Sequence, residues 1–182
     1  MPQARPCIVL LRGINMPKRN RIAMPVLRDV LAGAGFGNVR TYVQSGNVVL
    51  STAKSPAVVA GECGALIASR FGLDIKVVVR TREELAEVVR RNPFDKIANN
   101  PKRYQVCFLS AELDPKVVAK LAAAAVDPER LEVIGREVYA WHPEGINRSP
   151  LWEILAGPKL GVTATSRNWT TVTTLLAMAN QK

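Results

Sequence analysis

The chain has 182 residues, of which 48% are hydrophobic and 22% charged, with a formal net charge of +10. That length allows one large domain or two small ones, and the composition excludes extended disorder and lets a core form without metals or disulfides. No secretory signal and no membrane partner are expected, because the run Cys7–Leu11 is too short for either and no stretch approaches the ~20 apolar residues that cross a bilayer.

Cys7–Arg12 is a continuous apolar run of the kind that forms a buried strand. A polar, basic loop follows from Gly13 to Arg21. Met24, Leu27, Val30, Leu31 and Ala34 then recur at helical spacing, with Pro25 in the first turn and Gly33, Gly35 and Gly37 as the stop. Val39–Ser45 and Asn47–Ser51 read as two strands of a tight hairpin across Gly46. Pro56 to Phe71 reads as a helix through Val59, Cys63, Leu66 and Ile67, and Asp74–Arg80 as a strand. The order is β-α-β-β-α-β, which predicts a ferredoxin-like module over residues 1–80 with its first and third strands as the central pair.

Thr81 and Glu84 form a capping box for a short helix through Leu85, Val88 and Val89, which Asn92-Pro93-Phe94 ends. Tyr104–Leu109 is a strand. Asp114 caps a helix through Val118, Leu121 and Ala125. Leu131–Ile134 and Glu137–Trp141 form a hairpin across Gly135-Arg136. Ser149-Pro150 starts a helix that Gly157-Pro158 stops, and a last helix with Val172, Leu175, Leu176 and Ala179 begins near Asn168. Residues 81–182 thus contain β-α-β-β-α. The fold class expected is α+β, built from two tandem ferredoxin-like (βαββα-type) modules with mainly antiparallel sheets.

The positive charge is concentrated at the start of the chain: residues 1–61 carry eight basic side chains and one acid. A localised field of this kind attracts phosphates, nucleic acid or an acidic protein surface. Arg12, Asn15, Lys18, Arg19, Asn20 and Arg21 line the loop that leads into a helix N-terminus. Gln44, Ser45 and Asn47 lie at the hairpin expected at the same end of the sheet, so the two groups are predicted to converge. The competing reading is a solvated basic loop with turn-forming amides. A second group comprises Arg148 with Ser149, and Thr165, Ser166, Arg167 and Asn168, each at a helix start, where simple capping competes with ligand binding. Trp141, Trp152 and Trp169 read as core.

Several chemistries find no support. Gly33-Ala34-Gly35-Phe36-Gly37 follows a helix instead of a strand, so it is a helix stop and not a dinucleotide loop. No P-loop, HExxH or carboxylate cluster at metal spacing occurs, and no cofactor or metal is expected. Cys7, Cys63 and Cys107 form no CxxC pair, so zinc and thioredoxin-like readings fail. Their apolar surroundings predict buried thiols in a reducing cytoplasm. His142 is the only histidine, and nothing in the sequence pairs it with a nucleophile. The two central strands lack the aromatic residues on which an RNA-recognition motif stacks bases.

Leu10-Leu11-Arg12-Gly13-Ile14-Asn15 and Arg40-Thr41-Tyr42-Val43-Gln44-Ser45-Gly46-Asn47-Val48-Val49 resemble the opening of the bacterial domain-of-unknown-function family numbered 1697. Asn92-Pro93-Phe94, Gly135-Arg136-Glu137-Val138-Tyr139 and Thr165-Ser166-Arg167-Asn168-Trp169 continue the likeness. The resemblance implies an α+β protein of ferredoxin-like character and no established activity. It points to Arg12, Gly13, Asn15, Gln44, Ser45, Gly46, Asn47, Arg167 and Asn168. Met16-Pro17-Lys18-Arg19 departs from a loop that is often glycine-containing in that family, and is stiffer and more basic. The expected function is an anion- or phosphate-binding module, or one that binds a nucleic acid backbone. The alternative is a small enzyme of unknown reaction that uses the same Arg/Asn/Gln pocket, with Ser45 or His142 as proton carrier.

Overall fold

A computed structural model describes residues 2–181. Among the described residues, two four-stranded antiparallel sheets and six helices follow one another. The first stretch is β1 (Arg5–Leu11), α1 (Met24–Gly33), β2 (Gly37–Tyr42), β3 (Asn47–Thr52), α2 (Pro56–Phe71), β4 (Val77–Thr81) and α3 (Arg82–Arg91). The second is β5 (Tyr104–Leu109), α4 (Pro115–Ala124), β6 (Arg130–Ile134), β7 (Glu137–Trp141), α5 (Pro150–Ala156), β8 (Ala164–Asn168) and α6 (Trp169–Asn180).

The sheets have the strand orders β2-β3-β1-β4 and β6-β7-β5-β8. The second is the first with every strand advanced by four. The match extends to single hydrogen bonds. The Leu11 amide donates to Gly46 O at 2.9 Å and Arg12 to Lys76 O at 2.9 Å; their counterparts are Leu109 to Arg136 O at 2.9 Å and Ser110 to Thr163 O at 2.8 Å. Ile8 pairs with Arg80 as Val106 pairs with Arg167, so a buried arginine occupies the same place in each module.

Two differences from the sequence reading stand out. The second module is a complete β-α-β-β-α-β unit, because β8 precedes the last helix. This strand has only five residues and a mixed Ala-Thr-Ser-Arg-Asn composition, so its strand signal is weak beside the caps it contains. In the first module the hairpin is wider than expected: β2 ends at Tyr42 and residues 43–46 form the turn.

Each core lies between the sheet and its own helix pair. Cys7, Val9, Leu11, Val48, Leu50 and Val79 pack with Leu27 and Leu31 of α1 and with Val59, Cys63 and Ile67 of α2. Cys107, Leu109, Val138, Ala140 and Ala164 pack with Leu121, Leu151 and Leu155. Side chains alternate across a strand, yet the intervening Ile8, Leu10, Val49, Val78, Val106, Phe108 and Tyr139 are also buried. All three cysteines are buried thiols outside any disulfide, and burial pushes the Cys63 thiol up to about 12.

The chain divides into two compact units, Met1–Glu87 with Thr174–Lys182, and Val88–Thr173. The boundary between the units falls within α3, and the end of α6 belongs to the first unit. There Arg40 of β2 donates to Met178 O at 2.7 Å and to Gln181 Oε1 at 2.9 Å. The capping box is present: the Thr81 amide donates to Glu84 Oε2 at 2.8 Å, and the Glu84 amide to Thr81 Oγ1 at 3.1 Å. Among the described residues, no helix is long and apolar enough to cross a membrane.

Candidate functional site

The connection from β1 to α1 runs from Arg12 to Ala23 and is tied down from within. Ile14 and Ile22 are buried in the first core and anchor its two limbs. Between them the Asn15 amide donates to Asn20 O at 2.8 Å. The Asn15 side chain bonds Ile22 in both directions: Oδ1 accepts from the Ile22 amide and Nδ2 donates to Ile22 O, each at 2.9 Å. Asn20 Nδ2 donates to Gly13 O at 2.8 Å. Asn15 and Asn20 have φ values of 50° and 54°, a left-handed conformation that asparagine tolerates better than most residues.

The tip is a small turn in which Met16 and Arg19 form an isolated bridge. Arg21 Nη2 donates to Pro17 O at 3.1 Å, which fixes one guanidinium along the loop. Lys18 and Arg19 are exposed, and their side chains have no ion-pair partner among the described residues. With Arg12 and Arg21, the loop holds four basic side chains and no acid.

The β2–β3 turn meets this loop. Asn15 Nδ2 also donates to Gln44 O at 2.7 Å, so the predicted convergence is direct. Asn47 is fully buried, and its Nδ2 donates to Tyr42 O at 3.1 Å and Ser45 Oγ at 2.9 Å. It closes the turn from within. Gly46 has φ 82°, and a Cβ there would stand 2.7 Å from Leu11 Cβ. Val43 has φ 49°, a genuine outlier for a β-branched residue. Gln44 and Ser45 have exposed side chains at this corner.

The remaining sequence candidates belong to the second unit. Arg167 is buried on β8, where Nη1 donates to Thr165 Oγ1 at 2.6 Å and Ser166 O at 2.8 Å. Burial pulls its pKa down to about 10, so it stays cationic at neutral pH. Asn168 Oδ1 accepts from the Thr171 amide at 2.9 Å, as an N-cap of α6. Arg148 is exposed on the β7–α5 loop with φ 62°. Trp169 stacks on Tyr104 at 4.8 Å and Trp141 is buried.

One grouping was not legible in the sequence. Glu129, His142 and Ser149 meet beside a cleft in the second unit. Ser149 Oγ donates to Glu129 Oε1 at 2.5 Å, and His142 Nδ1 lies 2.7 Å from the same oxygen. They are 13 and 20 residues from Glu129 along the chain, and no motif links them.

The profile described as "Protein of unknown function (DUF1697)" matches residues 5–139. No curated protein matches the chain. Among solved structures, the conserved bacterial protein SP0830 from Streptococcus pneumoniae is similar with a TM-score of 0.80 at 20% identity. The alignment covers 97% of this chain and 99% of that one, and at this identity it establishes the fold alone.

Proposed function

We propose that this chain, which belongs to the DUF1697 family, is an anion-binding module whose basic β1–α1 loop docks on a phosphate backbone. One observation carries the reading: four cations and no acid occupy a loop whose shape is held by its own asparagines. Lys18 and Arg19 thus stand at a pre-organised tip, so little ordering cost opposes binding. The asparagines act as scaffold and the cations as ligand contacts. Gln44 and Ser45 flank them at the same corner. Arg167 and Asn168 are not part of this reading, since their bonds lie at the β8–α6 junction.

Each module is read as ferredoxin-like, which the strand orders and the antiparallel pairing of every neighbour support. The central strands β1 and β3 carry no aromatic residue, so contacts to phosphate and not base stacking supply the affinity, and binding is indifferent to sequence. Buried thiols suit a reducing cytoplasmic setting.

The test is fluorescence anisotropy with labelled single-stranded and duplex oligonucleotides over a salt series. Affinity should fall steeply with salt, and Lys18→Gln with Arg19→Gln should reduce the slope of log K against log salt by about 2. Inorganic phosphate and mononucleotides serve as competitors: efficient competition by either indicates a small-anion site. A slope unchanged by the double substitution removes the loop from the account.

A further inference from the structure

The cleft in the second unit has a volume of about 300 Å³ and is lined by Glu129, Glu144, Asn147, Arg148 and Ser149, among others. This is the lower end of the size range of small-molecule sites. Glu129 organises one wall. Its side chain is only 13% exposed. Oε1 accepts from Ser149 Oγ and faces His142 Nδ1, while Oε2 has no hydrogen bond among the described residues. A carboxylate acceptor fixes the imidazole proton on Nδ1. Ser149 Oγ also accepts from the Trp152 amide at 3.0 Å, so its own proton is directed to Glu129.

Capping α5 does not require this arrangement. Ser55, at the corresponding start of α2, caps by accepting from the Val58 amide at 3.4 Å, and its hydroxyl has no carboxylate or imidazole partner among the described residues. His142 is fully buried, and its Nε2 has no partner among the described residues. A buried imidazole and a cap hydroxyl therefore converge on one oxygen of a carboxylate whose other oxygen has no hydrogen bond among the described residues. Arg148 is exposed at the same cleft, in a left-handed conformation, and its guanidinium has no ion-pair partner among the described residues.

We infer that this cleft binds a small zwitterion of the free amino acid class. Glu129 Oε2 receives the ligand ammonium, and Arg148 receives its carboxylate. His142 and Ser149 are positioning residues: they hold the Glu129 carboxylate so that Oε2 faces the ligand. This site is separate from the basic loop and stands whether or not that loop binds phosphate.

Free L-amino acids, titrated one at a time into ¹⁵N-labelled protein, test it, with ethanolamine and acetate as half-ligands. At least one amino acid should give saturable amide shifts confined to residues 126–129 and 143–150. Glu129→Gln should weaken that binding about tenfold or more. Arg148→Gln, on an exposed loop, should weaken the amino acid and leave ethanolamine unchanged. His142→Phe should lose affinity and His142→Asn, which keeps a donor toward Oε1, should recover part of it. The inference fails if no amino acid shifts these amides, if Glu129→Gln binds as well as wild type, or if Arg148→Gln affects both ligands alike.

Discussion

The two modules share one scaffold and differ in where they carry extra chain. In the first, the long connection is Arg12–Ala23, after the first strand, and the β3–α2 link is only Ala53–Ser55. In the second, the β5–α4 link is only Ser110–Asp114, and the long connection is His142–Ser149, before α5. The basic loop thus leaves the C-terminal end of its module's first strand, while the cleft lies at the N-terminal end of the corresponding strand. Hydrogen bonds and buried residues match at equivalent positions, but chemistry does not. The framework is set by packing, and distinct side-chain chemistry is carried at opposite ends of it.

The sharpest way to break this comparison is at the hairpin glycines. Gly46→Ala puts a Cβ against Leu11 at a φ of 82° and should cost about 3 kcal/mol in urea unfolding. Gly135 has φ 58° but open space around its Cβ position, so Gly135→Ala should cost only about 1 kcal/mol. Equal costs would mean that the β2–β3 turn is not packed against β1 as described.

Asn15→Ala comes next. It removes the bonds to Ile22 and to Gln44 O and should destabilise by about 2 kcal/mol. Amide exchange at Ile22 should accelerate, and oligonucleotide affinity should fall with Lys18 and Arg19 intact. Unchanged exchange would contradict the scaffold role of the asparagines.

The smallest effect concerns the equivalent caps. Thr81→Ala and Asn168→Ala each remove an N-cap and should cost about 1 kcal/mol apiece. Matching values sharpen the equivalence of the modules, and a cost at one position alone would weaken it.

Much of this was legible from the chain. Apolar periodicity and caps located thirteen of the fourteen elements among the described residues, and Thr81, Asp114 and Ser149 each bond the amides their spacing implies. β8 was missed because its Thr, Ser and Asn are residues that also cap helices. At the basic loop, the sequence singled out the residues but not which of them bond within the loop. An asparagine that contacts a ligand and one that bonds Ile22 look alike until the backbone is placed. The Glu129–His142–Ser149 grouping was hidden because its members lie on two different connections and each has an ordinary local explanation.

The most direct test of the central claim is an amide chemical-shift map on adding a short single-stranded oligonucleotide at low salt. The account predicts shifts at Gly13–Ile22 and Val43–Gly46 that vanish as salt rises, with residues 126–150 unmoved. Shifts centred on the cleft, or no shifts in the basic loop at any salt concentration, would contradict it.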